Sequence, residues 1–154
     1  MSINDLQKAF EIIDNLKGHS FYTGSPSNST LSEALSKLTT HLPRTYLDFV
    51  KKYGAGSFFG TEIYGFIDYN GGIDSIPDAL WLNLKGMGDK WPSIYFIIAE
   101  TGDGAYYALD TSTMNSNNEC PVVMIEGMNF NNICYIAEDF GAFLLSQIEE
   151  SKGI

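Results

Sequence analysis

The sequence predicts an α+β fold in a single domain spanning 1–154, and three observations carry that expectation. Apolar residues recur at helical spacing at both ends of the chain. Between them lie runs such as YFIIA, AYYAL and PVVMI, β-branched and aromatic and almost continuously apolar, which read as strands. Parallel strands need crossovers of a dozen or more residues, and the ETGDG link between the first two runs is far too short, so the pairing is antiparallel.

Taken in order, three helices come first. Ser2 with Asp5 has the form of a capping box, Leu6, Phe10, Ile13 and Leu16 follow on one face, and Gly18 is placed to end the helix. The next stretch, HSFYTGSPSNS, is rich in Ser, Gly and Asn and reads as a loop. Thr30 with Glu33 repeats the capping pattern ahead of Leu31, Leu35, Leu38 and Leu42. Pro43 suits the first turn of a third helix, LPRTYLDFVKKYG, whose stripe is Tyr46, Phe49, Val50 and Tyr53 and whose stop is Gly54.

The period then changes. SFFGTEIYGFIDY, with Gly60 and Gly65 inside it, predicts two short strands or a bulged one, and Asn70-Gly71 is a turn signal. Asp78 followed by ALWLNLKG predicts a short helix near 78–86. Strands are expected over 95–99, 105–109 and 121–125, with an edge strand over 131–135. A last helix is expected to carry Ile136, Phe140, Phe143, Leu144 and Ile148 on one face, with Glu138-Asp139 and Glu149-Glu150 on its solvated side.

A hydrophobic fraction of 44% with only 18% charged residues belongs to a folded chain with a real core. No apolar run reaches the about 20 residues of a membrane span or forms a signal h-region, so a cytoplasmic location is expected. Cys120 and Cys134 lack metal or redox spacing and read as reduced, partly buried thiols. The net charge of -10 is uneven: the chain up to Lys52 balances at +1, and from Tyr53 onward at -11. Such a surface repels nucleic acid and anionic lipid and favours cationic partners, although on composition alone acidity for solubility is the simpler explanation.

No motif demands an enzyme. In TGDG the following residues are strand-like and no lysine follows the second glycine, so a phosphate loop is excluded and a hairpin with positive φ at Asp103-Gly104 explains the stretch. Asp110 is placed to bond backbone N–H groups two residues on. Gly54-Ala55-Gly56 with Gly60 follows a helix rather than opening one, which is wrong for a dinucleotide fingerprint. Asp68 to Asp74 has calcium-loop flavour, but Ile73 and Ala79 stand where an EF-hand needs glycine and glutamate. His19 and His41 have no partner at metal spacing. No catalytic residue, metal or cofactor is therefore expected.

LPRTYLDFVKKYGAGSFFG, IYGF, TGDGAYYALDTS, CPVV and IAEDFGAFL, in that order, resemble the SUKH superfamily, the fungal Smi-Knr cell-wall regulators and their small bacterial relatives. The likeness is strongest over 42–145. It implies an α+β domain without catalytic residues. For the bacterial members it implies immunity proteins that bind and neutralise polymorphic toxins, often nucleases; for the fungal members it implies regulatory scaffolds with long extra segments. No such segments occur in the sequence, which points to the bacterial role.

The expected function is thus a non-enzymatic immunity protein with a cognate toxin, a basic nuclease, as its partner; the alternative is a regulatory protein–protein scaffold. Carboxylates presented where a nuclease expects phosphates would steer association, and aromatic side chains among them would anchor it. On that basis Asp68, Tyr69, Asp74, Asp78, Trp81, Glu100 and Asp103 are the candidate partner-binding residues. For Trp81 and Trp91, burial in the core is an equally good reading.

Overall fold

A computed structural model describes residues 2–68 and 78–151. Helix α1 (Ser2–Asn15) buries Leu6, Ala9, Phe10 and Ile13, while Leu16 falls beyond its end and stays exposed. Helix α2 (Asn28–Lys37) begins earlier than its sequence suggests. Its cap is Ser27, whose hydroxyl accepts from the Thr30 N–H at 3.2 Å, so Thr30 lies inside the helix and Glu33 pairs instead with Lys37 one turn on, at 3.2 Å. The leucine stripe expected there is only partly realised: Leu31 and Leu38 pack half-buried against the core, but Ala34 is the residue α2 buries, Leu35 is exposed, and Leu42 reaches the core from outside the helix. Helix α3 (Arg44–Tyr53) follows the expectation closely, burying Tyr46, Phe49, Val50 and Tyr53.

Two antiparallel sheets follow. The first has the order β1-β2-β3, from β1 (Ser20–Tyr22), β2 (Gly56–Phe58) and β3 (Thr61–Ile63). The expected pair of short strands is β2 and β3, joined by a two-residue turn in which Phe59 (φ 54°) and Gly60 (φ 87°) are both left-handed. Strand β1 lies in the stretch read as a loop. It is a three-residue edge held by pairing with β2, Phe21 opposite Ser57, and tertiary pairing of that kind overrides local composition.

The second sheet has the order β4-β5-β6-β7, from β4 (Tyr95–Glu100), β5 (Ala105–Asp110), β6 (Val122–Glu126) and β7 (Ile133–Ala137). The β4–β5 hairpin forms as expected, but its positive φ falls at Gly102 and Gly104, 94° and 98°, and not at Asp103; Asp110 accepts from the Ser112 N–H at 3.2 Å, as its turn chemistry required. The sheets meet where the Tyr64 N–H donates to the Ile98 carbonyl at 2.7 Å. Close by, the Ala79 N–H donates to the Gly65 carbonyl at 2.9 Å, so the chain that leaves at Asp68 is closed at its return. Gly65 must be glycine there, because an added Cβ would sit 1.8 Å from the Gly54 carbonyl oxygen.

Helix α4 (Ala79–Trp81) continues into a π turn at Leu82–Gly86, and helix α5 (Phe140–Ser151) closes the chain. Ile136 belongs to β7 rather than to α5, whose buried face is Phe140, Phe143, Leu144 and Ile148. Asp139, expected on a solvated helix face, is buried and caps α5 by accepting from the Ala142 N–H at 2.9 Å. The core is aromatic where α3 meets α5 and the sheets: the Phe49 ring lies 5.2 Å from Phe58 and 5.3 Å from Phe140, and Tyr46 lies 5.2 Å from Phe140. Cys120 is buried and Cys134 exposed, both free; burial pushes the Cys120 thiol up to about 12. Among the described residues no helix is long and apolar enough to cross a membrane.

Candidate functional site

A groove of about 510 Å³ runs between α2 and the α4–π-turn segment. Its floor is apolar, from Ala34, Phe66 and Ile67, all buried. One wall carries the Glu33–Lys37 ion pair; the other carries Asp78, Trp81 and Leu84. Trp81 is 56% exposed, a large apolar surface for a side chain with no covering element among the described residues.

Local structure holds this wall in place. Asp78 is the N-cap of α4, its carboxylate accepting from the Leu80 N–H at 2.8 Å. The Trp81 ring lies against Gly86, where a Cβ would approach its Cζ3 to 2.7 Å, so the turn needs glycine to let the indole lie flat. Asn83 ties the turn to β4. Its amide nitrogen donates to the Ala79 and Ile97 carbonyls at 2.8 and 3.0 Å, and its oxygen accepts from the Ile97 N–H at 2.7 Å. The side chain thus mimics a neighbouring strand at one position of the β4 edge. Sequence reasoning did not single out Asn83; a lone Asn in an amphipathic stretch carries no signal of a partner fourteen residues away.

Asp68 stands on the α2 side. Both its oxygens accept from the Ser27 N–H, at 2.9 and 3.2 Å, and the Thr30 hydroxyl, first, together with that N–H holds its carboxyl below the usual range. Thr30 in turn lines the groove. Asp78 and Trp81 therefore line the groove, and Asp68 borders it through Thr30. Tyr69 and Asp74 lie outside the described residues.

Glu100 and Asp103 do not line the groove. Glu100 faces Glu62, whose carboxyl is raised by burial and then by that neighbouring charge, and it faces Tyr64, whose phenol is raised by burial and by Glu100. Asp103 sits exposed on the hairpin tip and accepts from the Thr101 hydroxyl. The two tryptophans part company as well. Trp91 is buried, its indole N–H donating to the Tyr95 carbonyl at 2.7 Å and its ring edge-on to Tyr106 and Phe130, so only Trp81 is available as an anchor.

Among the described residues no three His, Cys, Asp or Glu side chains stand close enough to hold a metal ion. His19 stacks on Phe59 at 5.3 Å beside the first sheet, a packing role. What the groove offers is recognition: an apolar floor, one exposed indole, and carboxylates on both rims. A family model described as SMI1-KNR4 cell-wall, of the SUKH type, matches residues 2–149.

Proposed function

Because the chain belongs to the SMI1-KNR4 family of the SUKH superfamily, we propose that it is a non-enzymatic immunity protein, which binds a cognate nuclease toxin and neutralises it through the acidic groove. Family membership is consistent with an immunity or a regulatory protein and with a protein as the partner. The observation that carries the immunity reading is Trp81, 56% exposed in a groove that Asp78 lines and that Asp68 borders through Thr30.

The physical logic is substitution of carboxylates for phosphates. A nuclease cleft is lined with Lys and Arg that bind the nucleic acid backbone, and those cations are attracted to the Asp68 and Asp78 carboxylates within a chain whose residues from Tyr53 onward balance at -11. Charge steers the encounter, while burial of the Trp81 indole against the partner supplies much of the affinity. Glu100 and Asp103 extend the acidic field without lining the groove. The protein acts by occupancy, and no bond is made or broken.

The test is affinity capture of the tagged protein's partners from its own lysate at low and at high salt, with mass spectrometry of what stays bound. A single near-stoichiometric protein with a basic domain, released by salt, whose nuclease activity falls on adding the purified immunity protein, is the expected result. Several weak partners with no toxic activity would overturn the immunity reading in favour of a regulatory scaffold.

A further inference from the structure

The groove between α2 and α4 presents an aromatic face and carboxylates above an apolar floor. Ala34, Phe66 and Ile67 make that floor and are buried, so an entering side chain meets hydrocarbon there. Trp81 is 56% exposed, and its ring rests against Gly86, where an added Cβ would lie 2.7 Å from Cζ3. The contact restrains the indole while more than half of the residue stays open to a partner.

Carboxylates outnumber ammonium groups around the ring. Asp78 and Glu33 line the groove and Asp68 borders it through Thr30, whereas Lys37 is the one cation among the described lining residues. Capping α4 occupies one of the about four acceptor positions of the Asp78 carboxylate. Glu33 is bonded to Lys37 at 3.2 Å, but both side chains are largely exposed, and an exposed pair of that kind is weak enough to exchange partners.

We infer that the groove is an arginine pocket: it takes one arginine side chain of the partner, with the methylene stem on the apolar floor, the guanidinium stacked on the Trp81 indole, and the Asp78 carboxylate as its anionic partner. The inference rests on the groove being the partner-binding face and goes further by naming the side chain that enters. A guanidinium is planar and weakly hydrated, so it lies on an aromatic face while its N–H groups reach a carboxylate in their own plane. An ammonium is compact and strongly hydrated, which suits the carboxylates but not the indole. A purely apolar side chain would suit the floor and strip water from the carboxylates without giving them a donor. Arginine alone meets all three surfaces, and its stem is built to cover hydrocarbon while its head stays polar.

The probe is N-acetyl-arginine amide, titrated against the full chain and followed by NMR at the Trp81 indole N–H, with the N-acetyl amides of lysine, leucine and citrulline alongside. Citrulline keeps the shape of arginine without its charge. The Trp91 indole, buried and bonded to the Tyr95 carbonyl, is the internal control. The expected result is a saturable shift at Trp81 with a Kd on the order of 1 mM, the class of a ligand this small. Trp91 stays still, and the other three amides bind at least about threefold more weakly. Read at the backbone amides of 79–84, Trp81→Leu and Asp78→Asn each weaken arginine by about threefold or more. Asp103→Asn removes the same charge from the hairpin tip, outside the groove, and leaves the affinity within about twofold. Asn caps a helix as well as Asp does, and unchanged thermal melting confirms that the variants are folded.

No saturable shift at tens of millimolar, or a lysine, leucine or citrulline amide that binds as tightly as arginine, overturns the inference. If arginine leaves Trp81 untouched while a captured toxin is still neutralised through Trp81, the arginine pocket is refuted and the immunity reading stands. Arginine bound at Trp81 by a protein that neutralises no toxin supports the pocket and removes the immunity reading.

Discussion

Helix α3 is capped by a side chain that lies 74 positions further along the chain, and this makes Glu119 the most informative residue to change. Pro43 occupies the N-cap position and makes no side-chain cap bond. Glu119, which is 3% exposed, takes its place: one carboxylate oxygen accepts from the Thr45 N–H at 3.0 Å and the other from the Thr45 hydroxyl at 2.7 Å. Burial raises the Glu119 carboxyl, and the nearby Asp139 and Asp48 charges add to it, while the two bonds from Thr45 oppose the rise. Glu119→Ala strands a fully buried N–H at the start of α3 and costs about 2–3 kcal/mol, the sum of a lost cap and an unsatisfied donor. Glu119→Gln behaves differently. Its amide oxygen can accept from the Thr45 N–H and its amide nitrogen can donate to the Thr45 oxygen, so both contacts survive and the buried charge is gone. Since the folded carboxyl is raised above its unfolded value, its stabilising contribution is complete below the unfolded range, near about pH 4, and is lost as pH rises through the folded value. Gln removes that loss, so its advantage over the wild type grows from acid toward neutral pH. Urea unfolding of the three proteins across this range is the assay, with the Ala midpoint expected to fall by about 1 M at neutral pH. A Gln variant as damaged as the Ala variant would show that the charge itself holds α3, and the burial argument would fail.

Other changes follow from the same geometry. Gly65→Ala drives a Cβ into the Gly54 carbonyl at 1.8 Å, and thermal melting should show a loss of more than about 3 kcal/mol or failure to fold. Asn83→Ala removes three bonds, two of which join the π turn to β4, and should cost about 2 kcal/mol in urea unfolding, with faster hydrogen exchange at Ile97. Trp81→Ala changes an exposed residue, so its melting temperature should stay close to that of the wild type; affinity for the captured partner, measured by calorimetry, should fall by about 2 kcal/mol, roughly thirtyfold.

Where one element's own residues decide its state, the sequence was legible. The α3 stripe, the glycine-flanked β4–β5 hairpin and the apolar run of β5 each follow from periodicity and turn chemistry at close range. Illegible features depend on groups far along the chain. Strand β1 exists because β2 pairs with it, the Ser27 N–H at the start of α2 is held by Asp68, and α3 is capped by Glu119. The site divided in the same way. Charge and aromatic content pointed to Asp68, Asp78 and Trp81, which the fold gathers around α2. Glu100 engages Glu62 and Tyr64 away from the groove, and composition could not have separated Trp81 from the buried Trp91.

The most direct test is neutralisation itself: the nuclease activity of the captured toxin domain, measured with increasing amounts of the wild-type protein and of a variant combining Asp68→Asn, Asp78→Asn and Trp81→Ala. The account predicts that one equivalent of wild type abolishes cleavage and that the folded variant leaves most of it standing. Equal protection by both proteins would contradict the acidic groove as the binding face, and cleavage untouched by either would contradict the immunity function.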